Sequence, residues 1–213
     1  ESSKLSTSDP MQLLMSAKIC YEQLGLINEG LQFSYEALRK ETKGVKSRAQ
    51  LFIGIGLQQL SITSTLKSDR DTYCRQAIEA FEKAVQLDPN DHLSEYYLAL
   101  QHAINYNIPE ALAHVKIALS FRAEHAPSLQ LFALVLTACH RPNEALKIVE
   151  DALEDFPDNL HLMHIRAHLQ LYLKGTEAAL GTLQRMIVVW KDLFESQTQL
   201  FNGSLYEFHD DRH

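Results

Sequence analysis

The sequence predicts an all-α protein, a right-handed superhelical solenoid of stacked helix–turn–helix units. Three observations carry that prediction. First, Ala77, Ala111, Ala145 and Ala179 follow one another at intervals of 34 residues. Second, the surrounding phrase recurs: Ala77-Ile78, Glu110-Ala111-Leu112, Glu144-Ala145-Leu146 and Ala178-Ala179-Leu180. Third, larger apolar residues (Phe81, Val115, Val149, Leu183) come four positions later, and Ala84, Ala118, Ala152 and Met186 come seven positions later. Positions i, i+4 and i+7 share one helix face, so each set marks a place where two helices approach closely.

A 34-residue self-similarity is the period of the tetratricopeptide repeat, a pair of helices that stacks on its neighbours to bury a continuous core. Pro89 and Pro157 are expected to end second helices, because proline cannot continue a helix and pushes its predecessor toward extended geometry. Asp88-Pro89-Asn90-Asp91 and Phe156-Pro157-Asp158-Asn159 then supply residues able to cap the next helix. Leu129, Phe132, Ala133 and Leu136 have the spacing of a first helix, and Leu98, Ala99 and His102 follow it more loosely.

Upstream the period slips. Glu29-Gly30-Leu31 resembles the repeated phrase, with Ala37 seven residues after Gly30, but Gly30 stands 47 residues before Ala77. The polar stretch Ser61 to Thr72 suggests an inserted loop between the helices of the second unit, near 61–75; the alternative is a helix lengthened by several turns. The organisation read from the chain is a polar leader at 1–9, a repeat array of about five units over 10–195, and a polar loop or tail at 196–213. Phe201, Leu205, Tyr206 and Phe208 could anchor part of that tail. The start at Glu1-Ser2-Ser3 without Met suggests a segment of something longer.

Composition narrows the function classes. Twenty Lys and Arg against 27 Asp and Glu give a formal charge of −7, opposite to what a nucleic-acid partner selects. Cys20, Cys74 and Cys139 are odd in number and far apart, which suits a reducing compartment better than a disulfide framework. The longest mainly apolar run, Leu131 to Cys139, is nine residues, about half of a membrane span.

Catalytic and cofactor motifs are wanting. Gly54-Ile55-Gly56 lacks the third glycine and the βαβ setting of a dinucleotide loop, so these glycines are expected to relieve crowding between helices. Cys139 and His140 adjoin in sequence and would point apart on a helix. His161, His164 and His168 could share one helix face, yet no carboxylate or thiolate there completes a metal site. No catalytic residue, cofactor or metal is therefore expected.

In register with Ala179, the three histidines line the first-helix groove, whereas register with Ala178 would rotate them away. Tyr96, Leu100, Gln130 and Leu134 fall on the corresponding positions. No cationic clamp for an acidic tail is present on the helices starting at His92 and Ala126, and only Arg166 on the next. The candidate partner surface, Tyr96, Leu100, Gln130, Leu134, His161, His164 and His168, thus suits an apolar helix or a folded partner.

Asp158-Asn159-Leu160-His161-Leu162-Met163, Leu173-Lys174-Gly175-Thr176-Glu177-Ala178-Ala179-Leu180 and Val189-Trp190-Lys191-Asp192-Leu193 are more specific than the generic repeat. With Ala145-Leu146-Lys147-Ile148-Val149 and Phe81-Glu82-Lys83-Ala84, they resemble the C-terminal half of the tetratricopeptide repeat protein 7 family. The resemblance runs from about Asp9 to Glu195. It implies a non-enzymatic scaffold, peripheral at the plasma membrane through its partners: phosphatidylinositol 4-kinase type III alpha, hyccin and a lipid-anchored membrane scaffold. It also implies that the C-terminal repeats contribute to hyccin binding. A generic repeat adaptor in another complex, or an accessory domain of an enzyme, are the competing readings.

Overall fold

The computed structural model describes residues 9–40 and 44–207, with side-chain positions up to residue 195. Ten α-helices follow in order: α1 (Pro10–Ile19), α2 (Ile27–Arg39), α3 (Val45–Thr63), α4 (Lys67–Leu87), α5 (His92–Ile104), α6 (Ile108–Phe121), α7 (Ala126–Ala138), α8 (Pro142–Asp155), α9 (Leu160–Lys174) and α10 (Thr176–Glu207). A π-helical turn, Cys20–Leu24, extends α1. There is no strand among the described residues. The chain divides into two compact units, Glu1–Ala123 and Glu124–His213.

Local chemistry sets the helix ends. Pro10, Pro109, Pro127 and Pro142 occupy first or second helical positions, where a missing N–H costs nothing. Asp91 accepts from the N–H groups of Leu93 and Ser94, and Asn159 from those of His161 and Leu162, so both expected caps open their helices. The helices before them stop at Leu87 and Asp155, ahead of Pro89 and Pro157. The corners after α5 and α7 close with Tyr106 and His140, each at φ 59°, a left-handed geometry uncommon outside glycine and asparagine. These two residues also stand 34 apart.

In the first unit the core centres on Phe81 of α4, which is fully buried among Leu51, Ile53, Leu57, Ala77, Ala80, Ala84 and Leu98 and stacks on Tyr97 at 5.8 Å. Ala77 and Ala111 are completely buried, as their spacing requires. The glycines do what crowding predicts. A Cβ on Gly54 would run into the Phe81 ring, and one on Gly56 would lie 2.6 Å from the Tyr21 hydroxyl. Polar ties cross the same unit. Gln58 Nε2 donates to Gln101 Oε1 at 2.9 Å between α3 and α5, and Arg48 lies 3.4 Å from the buried Asp91 cap.

The inserted loop expected near 61–75 is absent. Only Ser64, Thr65 and Leu66 separate α3 from α4. α3 and α4 are 19 and 21 residues long, against 13 and 14 for α5 and α6, and those six and seven extra residues make up the whole slip of the period. Gly30, Ala111, Ala145 and Ala179 are each the fourth residue of their helix, whereas Ala77 is the eleventh of α4. Serine marks the other side: Ser47, Ser94 and Ser128 are each buried third residues of α3, α5 and α7. The hairpin has therefore grown at its tip, by about two turns on each arm. A polar tip that projects from the core can stay helical because intrahelical hydrogen bonds, not burial, satisfy its backbone.

In the second unit α7 packs on α8, α8 on α9 and α9 on α10. Ala145, Val149 and Ala152 are buried on α8. Ala179 is buried while Ala178 is only half-buried, which fixes the last register on Ala179. Two expectations about this end need correction. Leu183 is exposed, unlike Val115 and Val149, because no described helix covers the far side of α10. The polar loop or tail at 196–213 is helical through Glu207, since no proline or capping residue stops α10. The polar leader over 1–8 and residues 208–213, including Phe208, lie outside the described residues, as do the side chains of Phe201, Leu205 and Tyr206.

Candidate partner-binding surface

The seven residues expected to line a groove fall in both units, and each unit presents its own part. In the second unit, Leu134, Thr137 and Ala138 of α7 face His164, Ile165, His168 and Leu169 of α9 across a hollow of about 400 Å³. Three of the expected residues, Leu134, His164 and His168, are thereby brought together. Leu134 is half exposed, at 53% of its full surface, and both histidines are exposed, so contact groups are presented and not consumed by packing. His161 also faces solvent, but it does not line the hollow.

Gln130 has a different occupation. Its side-chain Nε2 donates to Asn159 Oδ1 at 3.2 Å, the same oxygen that caps α9, so it links α7 to the start of α9. Thr137, Ala138, Ile165 and Leu169 were missed by the sequence reading. Thr137 and Ala138 stand three and four residues after Leu134, the helical-neighbour spacing that could have found them.

In the first unit, Tyr96 and Leu100 of α5 are half-buried. Tyr96 meets Tyr97 edge to face at 5.1 Å, and burial pushes its phenol up to about 12. Tyr96 therefore offers a neutral aromatic body with a hydroxyl, the amphipathic type of group enriched in protein interfaces.

Beside it lies a titratable cluster. His114 Nδ1 of α6 hydrogen-bonds Glu95 Oε2 of α5 at 2.7 Å, with Glu95 buried, and the His102 ring stacks on His114 at 5.6 Å. Burial lowers the His102 pKa, His114 lowers it further, and Glu110 and Glu82 oppose the shift. The His92 pKa is also lowered, first by burial and then by Arg122 and Arg48, against Asp91. The unfolded chain takes up protons at the ordinary histidine value of about 6.5, where the folded chain does not. Stability held above that value is therefore lost as pH falls through it toward the depressed folded values. Thermal melts should show Tm falling from pH 7 to pH 5.5, and His102→Gln should flatten that slope. An unchanged slope in the variant would assign the acid sensitivity elsewhere.

Among the described residues no group of three or more His, Cys, Asp or Glu is arranged to hold a metal, and no helix is long and apolar enough to cross a membrane.

No family model matches the chain. Human tetratricopeptide repeat protein 7B is 33% identical over 193 residues, which is 90% of this chain and 23% of that protein. Human tetratricopeptide repeat protein 7A is 33% identical over 193 residues, covering 90% of this chain and 22% of that protein. The chain is a homologue of tetratricopeptide repeat proteins 7A and 7B. It spans about a quarter of the length of these relatives. Protein NPGR2 of Arabidopsis thaliana is similar as well, at 30% identity over 198 residues.

The fold agrees with that relationship. The thermophilic tetratricopeptide protein TTC0263 of Thermus thermophilus superposes with a TM-score of 0.70 at 21% identity, over 78% of this chain and 84% of that one. MamA of Desulfovibrio magneticus RS-1 gives 0.67 at 15% identity, over 88% and 98%. At these identities the likeness concerns the fold alone. This relative of tetratricopeptide repeat protein 7 is thus an all-α tetratricopeptide protein, a helical-repeat scaffold of the protein-binding kind.

Proposed function

We propose that the chain is the hyccin-binding part of a non-enzymatic scaffold that recruits phosphatidylinositol 4-kinase type III alpha to the plasma membrane. A lipid-anchored membrane scaffold would complete the assembly, and the chain itself would be peripheral at the membrane through its partners. The supporting observation is 33% identity to human tetratricopeptide repeat protein 7B across nine-tenths of the chain, a family whose resemblance implies this role. The exposed, mainly apolar hollow between α7 and α9 and the aromatic surface at Tyr96 are the contact regions this reading uses.

Binding of this kind is carried by a few aromatic and apolar anchors and depends weakly on salt, because few counterions or exposed ion pairs are involved. The test is capture of purified hyccin by the chain at several salt concentrations. Tyr96→Glu and His164→Glu should each weaken capture while the circular dichroism spectrum stays helical. Exposed Lys83 and Lys147 on second helices should be replaceable by Ala with little effect. The reading fails if both Glu variants remain folded and bind hyccin like the parent. Capture that collapses at moderate salt would favour a charge-driven partner on another face.

A further inference from the structure

The far side of α10 carries an apolar stripe that nothing in the described chain covers. Leu180, Leu183, Ile187 and Trp190 expose 52%, 40%, 54% and 53% of their surfaces. They lie at spacings of three and four along one helix face. Trp190 is held by stacking on Phe194 at 5.6 Å, which limits the ordering left to do on binding.

The repeat itself says what such a stripe is for. One period earlier, on α8 and its C-cap, stand Leu146, Val149, Leu153 and Phe156. There Leu146 and Val149 are buried and Leu153 and Phe156 half-buried, in the unit where α9 packs on α8. The α10 stripe thus continues the interface between successive repeats by one further position. Its proper occupant has the form of a first helix. Ala99, Ala133 and Ala167 are each the eighth residue of α5, α7 and α9, and all three are buried, so a central alanine is the mark of the helix that seats there.

The neighbouring chain does not supply that helix. Phe156-Pro157-Asp158-Asn159 ends α8 and caps α9, but the residues 34 later are Trp190-Lys191-Asp192-Leu193. With neither proline nor an asparagine cap, α10 runs straight on to Glu207. The residues that would have turned back over the stripe extend away along the helix axis instead.

We infer that this face of α10 seats an amphipathic helix presented in trans by a partner protein, a helix built like α9 with an alanine in the middle of its apolar stripe. The seat is separate from the hollow between α7 and α9, so the loss of one leaves the other to be measured.

The test uses a fluorescent peptide with the sequence of residues 159–174, stapled across positions 164 and 168 so that it is helical before binding. It should bind the 213-residue chain saturably at one site. Leu183→Asp combined with Ile187→Asp, and Trp190→Ala separately, should each weaken it at least tenfold while the helical spectrum is kept. Lys147→Glu should leave it unchanged. Absence of saturable binding, or binding indifferent to both α10 variants, overturns the inference. So does a chain dimer that the Asp variants dissolve and the peptide cannot displace, which would give the face to a second copy. Protection of Leu183 and Ile187 by a longer form of the same chain, undisturbed by the peptide, overturns it in favour of a covering helix in cis.

Discussion

Phe81→Ala should lower the unfolding free energy by about 3–5 kcal/mol, the range for deleting a fully buried aromatic side chain. Phe81 is completely buried, stacks on Tyr97 and fills the space left by Gly54, so its loss opens a cavity between α3, α4 and α5. The close approach of Gly54 sharpens the expectation. Gly54→Ala alone should destabilise, because its Cβ would meet the Phe81 ring, although alanine has the better intrinsic helix propensity. In a Phe81→Leu background the same Gly54→Ala change should cost less or nothing. Urea unfolding of the four chains forms a double-mutant cycle, and strict additivity would show that the two residues do not share this contact.

The second large effect is at Ala111. Its side chain is fully buried on α6 together with Val115 and Ala118. Ala111→Phe inserts a ring where no space exists, and overpacking of this kind costs roughly 1–3 kcal/mol or more. Each helix pair in a repeat array depends on its neighbours, so the damage should spread beyond α5 and α6. Hydrogen exchange of the variant should show lost protection in α4 as well as in α6. A variant as stable as the parent would mean that the 34-residue spacing does not mark tight contacts.

The spacing of alanines was legible because close helix contacts leave so few choices. Ala77, Ala111, Ala145 and Ala179 are all buried, and the caps at Asp91 and Asn159 are read from short side chains acting within three residues. Effects that depend on distant partners were not legible. Gln130 looked like a groove residue by register, but its hydrogen-bond partner Asn159 is 29 residues away and becomes visible only once α7 and α9 are placed. Buried polar pairs hid for the same reason. Glu95 reads as an exposed helix residue until His114, 19 positions later, is brought to 2.7 Å. The end of the array was misread because polarity was taken for irregular structure. Along α10 the deciding signal was the missing proline and cap near 190–193, not the composition of what followed.

The lengthened hairpin of α3 and α4 changes how related sequences must be compared. Its thirteen additional residues lie on both sides of the Ser64-Thr65-Leu66 corner, six before it and seven after. An alignment that opens one uninterrupted gap against an ordinary repeat will set one arm out of phase, rotating every residue in it to a different helix face. Splitting the gap across the corner keeps Ser47 opposite Ser94 and Ala77 opposite Ala111, and with them the distinction between core and surface along both arms.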